Sequence, residues 1–531
     1  MNSKTTREID RLFSNCNKPD MPGFSIAVIR RGKIEYSRGY GMSSLEHGVP
    51  ISAGTVFDIG STSKQFVAFC IALLERRGKL SLDTEVRKFI PELTAYRYPV
   101  TLRHLIFHTS GIRDYLALME LAGMRYENEY PDEEVLGLIL RQKALNFKPG
   151  EEFLYSNSGY LLLGEVIKRV SGQSLREFSD KNIFSPLGMR NTHFHDDFTQ
   201  VIKNKATGYS VGDGNVKVCV SLFDVVGDGG VNTTVGDLAL WDRNFYRNIL
   251  GGGGELINKI TTPGRLNNGR ILDYAHGLFV TEYKGQKLIS HGGAWVGYRS
   301  ELLRFPEKMC SVICLSNMAQ AKPTALAKQI ADIYFKNELS VVTRPSETPA
   351  VKKISASNSR GIKTGFYSNC GSDKFLEISR KDNKLFLRDE DFTYELYPEG
   401  NNRFVIASGS RELTIVRGGL SVPALTLKKL NGPTLTYEKI RPGSFRQMPL
   451  SGISGDYYSA ELGVTWRLSA GAKKIFLERK GLPKEELRPV QRGVFAEDYL
   501  WIKFPSAANK SVKQFLLNAG RVRNIIFCRH P

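Results

Sequence analysis

Cysteine is sparse in this sequence: seven residues in 531, an odd number, with no C-x-x-C. That excludes a disulfide scaffold and a cysteine-built zinc site, and it fits a reducing compartment. Long apolar runs are also missing. No stretch approaches the roughly 18 consecutive apolar residues of a helical membrane span. The opening stretch MNSKTTREIDRLFSNCNKPD has no apolar leader core and no small-residue cleavage site. The expectation is therefore a cytoplasmic protein, or a mature form whose leader is missing. Histidine is scarce as well, at eight residues. His104 and His108 have helical i, i+4 spacing, but Leu105 stands where H-E-x-x-H needs its glutamate, so both read as packing. His193 and His195 have no further histidine at a helpful spacing and read as a hydrated loop. Gly251–Gly254 is not followed by Gly-Lys-Ser/Thr and reads as a flexible loop, not a phosphate cradle. No metal and no cofactor is expected.

The remaining composition is that of a globular chain, with 41% hydrophobic and 24% charged residues. At roughly 150 residues per domain, the length suggests two to four domains. The net charge of +20 is unevenly placed: residues 351–531 carry 31 Lys and Arg against 17 Asp and Glu, which is +14 of it. These basic residues are scattered singly or in pairs along strand-like runs. They read as a solvated surface, not as a nucleic-acid stripe.

Residues 1–337 read as one mixed α/β (α+β) domain. FSIAVIRRGKIEYSRGYG gives two strands around a basic turn. Ser61–Arg77 reads as an amphipathic helix, with Phe66, Phe69, Cys70, Leu73 and Leu74 on one face and Gly78 as its stop. Helical patterns follow at DEEVLGLILRQKAL, SGYLLLGEVIKRVSG and TTVGDLALWDRNFY, and strands return at QKLISHGG, RSELLRFP and CSVICLSN. Strands at both ends with helices between predict an antiparallel sheet built from the two termini and flanked by helices. Cys310 and Cys314 lie on one strand, too far apart to bridge, and read as buried apolar groups.

Residues 338–350 read as a linker, and 351–445 and 446–531 as two small antiparallel β-barrels. Short alternating runs separated by Gly, Asn, Asp and Pro are the β signature. Three blocks repeat at an offset of 90 to 91: Gly365–Ser368 with Gly455–Ser459, Lys384–Leu387 with Lys474–Leu477, and Glu395–Pro398 with Glu486–Pro489.

Three segments carry the chemistry. In Ser61-Thr62-Ser63-Lys64, one helical turn brings a hydroxyl and an amine to the same side. A serine hydroxyl needs a nearby base to act as a nucleophile, and a buried lysine can supply one. The helix N-terminus offers backbone N–H groups for a developing oxyanion. In Tyr155-Ser156-Asn157, a phenol can relay a proton while an amide orients the lysine or the substrate carbonyl. In His291-Gly292-Gly293-Ala294, paired glycines on a strand permit close approach of a ligand backbone, and the imidazole can donate to the tyrosine or to substrate.

In this order and spacing, the three segments resemble the active-site motifs of the serine β-lactamase and penicillin-binding protein superfamily. Tyr155–Asn157 is similar to the Y-x-N element of its class C branch, and His291–Gly293 stands where most members have Lys-Thr-Gly. The flanks Leu102–Leu105 with His108–Gly111, and Gly227–Val231, are similar too. Within that superfamily the chain resembles the D-aminopeptidases that carry two C-terminal, lipocalin-like barrels. The shared features are Ser63–Phe66, Arg113–Tyr115 with Ala117-Leu118, Gly227-Asp228, His291–Ala294 and the pattern at 455–462.

The resemblance implies a serine hydrolase working through an acyl-enzyme. Ser61 would be the nucleophile and Lys64 its base. Tyr155 would protonate the leaving group, Asn157 would position the acyl amide, and His291 would tune Tyr155. The N–H groups of Ser61 and Ala294, beside Gly293, would hold the oxyanion. Glu485 or Glu486 would hold the substrate's amine. An imidazole at 291 that titrates near neutrality would give a pH-dependent rate between about 5.5 and 8. The expected partner is a small peptide or amide, with neither nucleic acid nor a membrane span involved, and a homodimer is an admissible assembly. Rival readings are a D-Ala carboxypeptidase, a β-lactamase, an esterase, a non-catalytic peptide- or penicillin-binding sensor, and an anionic-polymer binder.

Overall fold

A computed structural model describes residues 3–212 and 214–336. Within 363–530 it describes all residues except 370–373, 383, 390–392, 399–402, 407–410, 417–423, 430–433, 441–449, 472–473, 498 and 506–511. The expected linker 338–350, the boundary at 445/446 and Cys370 lie outside the described residues. The chain forms two compact units. One comprises Met1–Ile112, Arg125–Leu140 and Phe147–Val342; the other comprises Arg113–Met124, Arg141–Asn146 and Thr343–Pro531.

The first unit is built on a six-stranded antiparallel sheet. Its strands are β1 (Phe24–Arg30), β2 (Lys33–Tyr40), β3 (Phe279–Tyr283), β4 (Gln286–Trp295), β5 (Tyr298–Phe305) and β6 (Cys310–Ser316), in the order β3-β4-β5-β6-β1-β2. β1 is buried from Phe24 to Ile29, with Ser25 its one polar residue there, which suits a strand covered on both faces, and it lies inside the sheet, paired with β2 and with β6. Arg31 and Gly32, at φ 51° and 74°, make a two-residue turn whose twist matches the β1–β2 hairpin. The register Phe24↔Ser316 joins the two sequence ends of the unit. Helices Ser3–Leu12 and Pro323–Tyr334 cover one face, with Ile9, Phe24, Val28, Phe305 and Ile330 in their core.

Helices α1 (Lys64–Arg76), α2 (Asn157–Ser171) and α3 (Val235–Arg247) complete the unit. Every residue of α1 from Lys64 to Leu74 is buried, so the helix is central and not amphipathic. It packs against Trp241 of α3, whose ring centroid lies 4.8 Å from that of Phe66 and 5.2 Å from that of Phe69. A 3₁₀ turn, Gly60–Ser63, precedes it and carries Ser61. α3 is pinned to the sheet by the buried pair Arg304 Nε–Asp242 Oδ1 at 2.7 Å, with Ser311 Oγ donating to the same oxygen at 2.7 Å. The six described cysteines, Cys310 and Cys314 included, are unbridged thiols.

The second unit holds two closed eight-stranded barrels. The first runs from Gly365–Asn369 to Thr434–Lys439 and the second from Gly455–Ser459 to Val522–Arg529, each closing its last strand on its first. The repeated blocks fall on the first, third and fourth strands of both. Equivalent contacts recur with them. Tyr367 and Tyr457 each donate to the carbonyl four residues back, of Lys363 at 2.6 Å and Ile453 at 2.7 Å. Lys384 pairs with Glu395 at 3.0 Å, and Lys474 with Glu486 at 2.6 Å.

The predicted helix over 132–145 stops at Leu140, because Arg141–Asn146 belongs to the barrel unit, where the Lys143 N–H donates to Glu461 at 2.8 Å. Helix Tyr115–Leu121, capped by Asp114 accepting from the Ala117 N–H at 3.2 Å, places Leu118 and Leu121 in the core of the second barrel. Arg113, just before it, is buried, with Nη1 donating to Glu461 at 2.6 Å and Gln142 at 2.8 Å. Its remaining N–H groups reach the carbonyls of Arg523 and Asn524, each at 3.0 Å. Among the described residues, no helix is long and apolar enough to cross a membrane, and no cluster of three His, Cys, Asp or Glu could hold a metal.

Candidate active site

Ser61 sits on a turn pressed against β4. Gly60 adopts φ +49°, and a Cβ there would lie 2.8 Å from the Ala294 nitrogen. A Cβ on Gly293 would lie 1.8 Å from the Ile59 carbonyl oxygen. Glycine at both positions lets turn and strand touch. Hydroxyls stitch the contact: Thr62 donates to the His291 carbonyl at 3.1 Å, and Ser300 to the Ile59 carbonyl at 2.7 Å. The Val231 N–H donates to Ser63 Oγ at 3.1 Å. Gln65 donates to the Thr62 carbonyl at 2.9 Å and accepts from the Trp241 indole at 2.6 Å.

Lys64 is wholly buried under this turn. Its Nζ donates to Asn157 Oδ1 at 2.8 Å, to the Asp228 carbonyl at 2.5 Å and to Ser61 Oγ at 3.1 Å. Three acceptors match the three N–H groups of an ammonium. Loss of one proton would leave two donors for the amide and carbonyl and a lone pair facing the Ser61 hydroxyl. The Asp228 carboxylate stays 4.0 Å away, so dipoles and not a tight ion pair hold this group. Nζ also lies 4.9 Å from the Tyr155 ring centroid and 5.6 Å from that of Tyr160.

Tyr155 enters from the extended segment that leads into α2, and Asn157 is the first residue of that helix. The Tyr155 ring packs on His108, with centroids 4.1 Å apart. His108 holds a left-handed φ of 54°, and its Nδ1 accepts the Ser156 N–H at 3.1 Å, which puts the ring proton on Nε2. Packing is thus its role, but the packing partner is the phenol of the site. His104 instead caps a helix, its Nδ1 accepting the Thr101 N–H at 3.1 Å.

His291 lies on β4 with its ring centroid 6.1 Å from that of Tyr155. Its Nδ1 is 2.7 Å from the Gly292 carbonyl, so Nδ1–H donates there. Nε2 is then an acceptor, and the Tyr274 hydroxyl, 3.2 Å away, donates to it. Burial, reinforced by the Lys64 charge, pushes the imidazole down to about 3. This runs against the expected change of charge near neutral pH: burial disfavours the imidazolium and holds the group in its neutral form across that range.

Glu485 and Glu486 lie on the second barrel. Glu485 pairs with Arg479 at 2.7 Å, and Glu486 pairs with Lys474 in the arrangement repeated by Lys384 and Glu395. His193 is part of a short strand paired to Asn232, not of a loop, while His195 lies in the loop that follows; both are half buried. Desolvation pushes His195 down to about 4.

Ser61, Lys64, Tyr155, Asn157, His291, Gly293 and Ala294 are thus all carried by elements that converge on one turn. The groups not singled out beforehand are His108, Gln65, Asp228 and Tyr274. His108 and Asp228 fall in flanking motifs, whereas nothing local marks Tyr274.

The beta-lactamase family profile matches residues 9–335. A penicillin-binding protein of Bacillus subtilis (strain 168) is 27% identical over 449 residues, covering 79% of this chain and 95% of its own. A D-aminopeptidase of Gluconobacter oxydans (strain 621H) is 29% identical over 313 residues, 58% of each chain, so the match spans under two thirds of that enzyme. Among solved structures, the octameric penicillin-binding protein homologue from Pyrococcus abyssi aligns with a TM-score of 0.57 at 26% identity, covering 82% of this chain and 99% of that one.

Proposed function

The chain belongs to the beta-lactamase family, and from that premise we propose that this serine hydrolase cleaves the amide bond after an N-terminal D-residue of a small peptide or amide, through an acyl-enzyme on Ser61. The observation that carries the reading is the position of Ser61 Oγ, 3.1 Å from the Nζ of a buried lysine that Asn157 and the Asp228 carbonyl hold in place. With Lys64 as a neutral amine, the Ser61 proton passes to Nζ while Oγ bonds to the substrate carbonyl carbon. The oxyanion faces the N–H groups of Ser61 and Ala294. The C–N bond then breaks, and the leaving amine takes a proton from Tyr155. Water, losing a proton to the same phenolate, attacks the ester, and Ser61 Oγ leaves as a hydroxyl by taking back the proton held on Lys64 Nζ.

The D-residue specificity is supported by the D-aminopeptidase relatives. A penicillin-recognising enzyme is the second reading, favoured by the longer match to the penicillin-binding protein, which covers 79% of this chain. A panel of D- and L-aminoacyl amides, D-alanyl-terminated peptides and a penicillin separates them. Turnover confined to D-aminoacyl amides supports the proposal. Turnover of carboxy-terminal D-alanyl peptides alone, or a stable penicillin adduct with no amide turnover, overturns it.

A further inference from the structure

Three aromatic side chains, Tyr126, Phe223 and Trp295, gather beside the same turn. Trp295 ends β4, one residue beyond Ala294. Its ring centroid lies 4.9 Å from Tyr126 and 5.6 Å from Phe223, and those two are 6.0 Å apart. All three residues are half buried, so the cluster is not sealed in the core. The Leu222 N–H donates to the Tyr126 carbonyl at 2.9 Å, which fixes the two loop segments side by side.

The loop that carries Phe223 and the strand that carries Trp295 are both anchored on the catalytic turn. Five residues past Phe223, the Asp228 carbonyl accepts from Lys64, and the Val231 N–H reaches Ser63. Trp295 follows the Ala294 backbone that abuts Gly60. Side chains alternate along a strand, so Trp295 shares the face of His291 and Gly293, the face that meets the turn. A tilted aromatic cluster left partly open beside a reactive serine is a binding surface for apolar groups.

The strand also gives the site a direction. His291, with Tyr155 and Tyr274, lies at one end, and Trp295 lies four residues on, roughly 13 Å away at about 3.3 Å per residue. The turn carrying Ser61 meets the strand between them, at Gly293 and Ala294. A leaving group directed at Tyr155 therefore sends the acyl portion of the substrate toward Trp295.

We propose that Tyr126, Phe223 and Trp295 form the acyl-side subsite, and that they select an aromatic or large aliphatic side chain on the residue whose carbonyl Ser61 attacks. This assignment rests on the hydrolase reading of Ser61. Burying a phenyl ring is favourable enough to distinguish it from a methyl by tenfold or more.

The test uses the full chain and aminoacyl p-nitroanilides with a constant leaving group and alanyl, leucyl or phenylalanyl acyl parts, in both enantiomers. The expected result is a kcat/KM at least about tenfold higher for phenylalanyl than alanyl. Trp295→Ala lowers that ratio about tenfold, Phe223→Ala lowers it independently, and Trp295→Phe restores it to within about threefold. A wild-type preference for alanyl, or a ratio unmoved in both alanine variants, overturns the subsite. Labelling of wild-type Ser61 by a fluorophosphonate keeps the two levels apart. Labelling with an unmoved ratio removes only the subsite, whereas absence of both labelling and turnover removes the hydrolase reading and the subsite with it.

Discussion

Lys64 in the first unit and Arg113 in the second both have side chains with 0% solvent exposure, yet their surroundings differ in kind. Arg113 has a carboxylate at 2.6 Å, an amide oxygen at 2.8 Å and two carbonyls at 3.0 Å. An arginine cannot give up its proton in a protein, and this one ties the loop before Tyr115 to the second barrel through charge-assisted bonds. Lys64 has only dipoles within hydrogen-bonding distance, with its carboxylate neighbour held at 4.0 Å. In the proposed mechanism, that setting leaves Lys64 to exchange a proton with the hydroxyl at its side. Saturating a buried cation with a carboxylate makes a fixed joint, while holding the carboxylate off is what the proposed base role of Lys64 requires.

The sharpest way to break the comparison is to remove each cation. Lys64→Met is expected to lower kcat/KM by at least about a thousandfold with little loss of stability, as steady-state kinetics and urea unfolding together would show. Arg113→Met is expected to do the reverse: it leaves Glu461 buried and unpaired and costs on the order of 3–5 kcal/mol of unfolding free energy in the barrel unit. The double variant Arg113→Met/Glu461→Leu should recover much of that loss. A stability loss for Lys64→Met as large as that for Arg113→Met would erase the distinction.

Acid supplies the next test. His276 and His291 are both held down to about 3 by burial, against 6.5 for an ordinary imidazole. The unfolded chain therefore takes up protons first as the pH drops below about 6.5. Stability falls from there, at up to about 1.4 kcal/mol per pH unit for each group, and the loss stops growing near pH 3. Unfolding midpoints of the wild type and His291→Gln across pH 4–7 measure the His291 share. Equal slopes would show that the imidazole is not held neutral.

A smaller effect is expected at Tyr274→Phe, which removes the donor to His291 Nε2 and so loosens the orientation of that ring. A loss of roughly fivefold in kcat corresponds to one hydrogen bond of about 1 kcal/mol. An unchanged kcat and pH profile would detach Tyr274 from the site. Glu486→Gln is expected to do least, because its pair with Lys474 is an exposed cross-strand contact repeated in the other barrel. Unchanged kcat/KM for amine-bearing substrates in Glu485→Gln and Glu486→Gln would remove both from substrate binding, and a large KM increase confined to substrates with a charged amine would place them there.

What could be read in the sequence was what is contiguous. One turn of helix joins Ser61 to Lys64, two residues join Tyr155 to Asn157, and the apolar runs of β1, β4, β5 and β6 announce their strands. The Tyr and Lys-Glu contacts shared by the barrels follow from repeats spaced 90 to 91 residues apart. What could not be read was made by distant partners. Arg113 and Glu461 each stand in a motif segment, but their separation of 348 positions hides the pairing. Tyr274 reaches His291 from a loop without pattern, and the neutrality of His291 comes from burial that no residue spacing reveals. The same limit explains α1, whose all-round burial depends on partners distant in sequence, α2 and Trp241 of α3 among them.

The central claim is that Ser61, served by Lys64, is an acyl-accepting nucleophile. Intact-protein mass after exposure to a serine-directed fluorophosphonate, with Ser61→Ala and Lys64→Met measured in parallel, tests it most directly. The account predicts one adduct per wild-type chain, none in Ser61→Ala, and labelling at least about a hundredfold slower in Lys64→Met. An adduct that persists in Ser61→Ala, or a folded wild-type chain that takes up none, would contradict it.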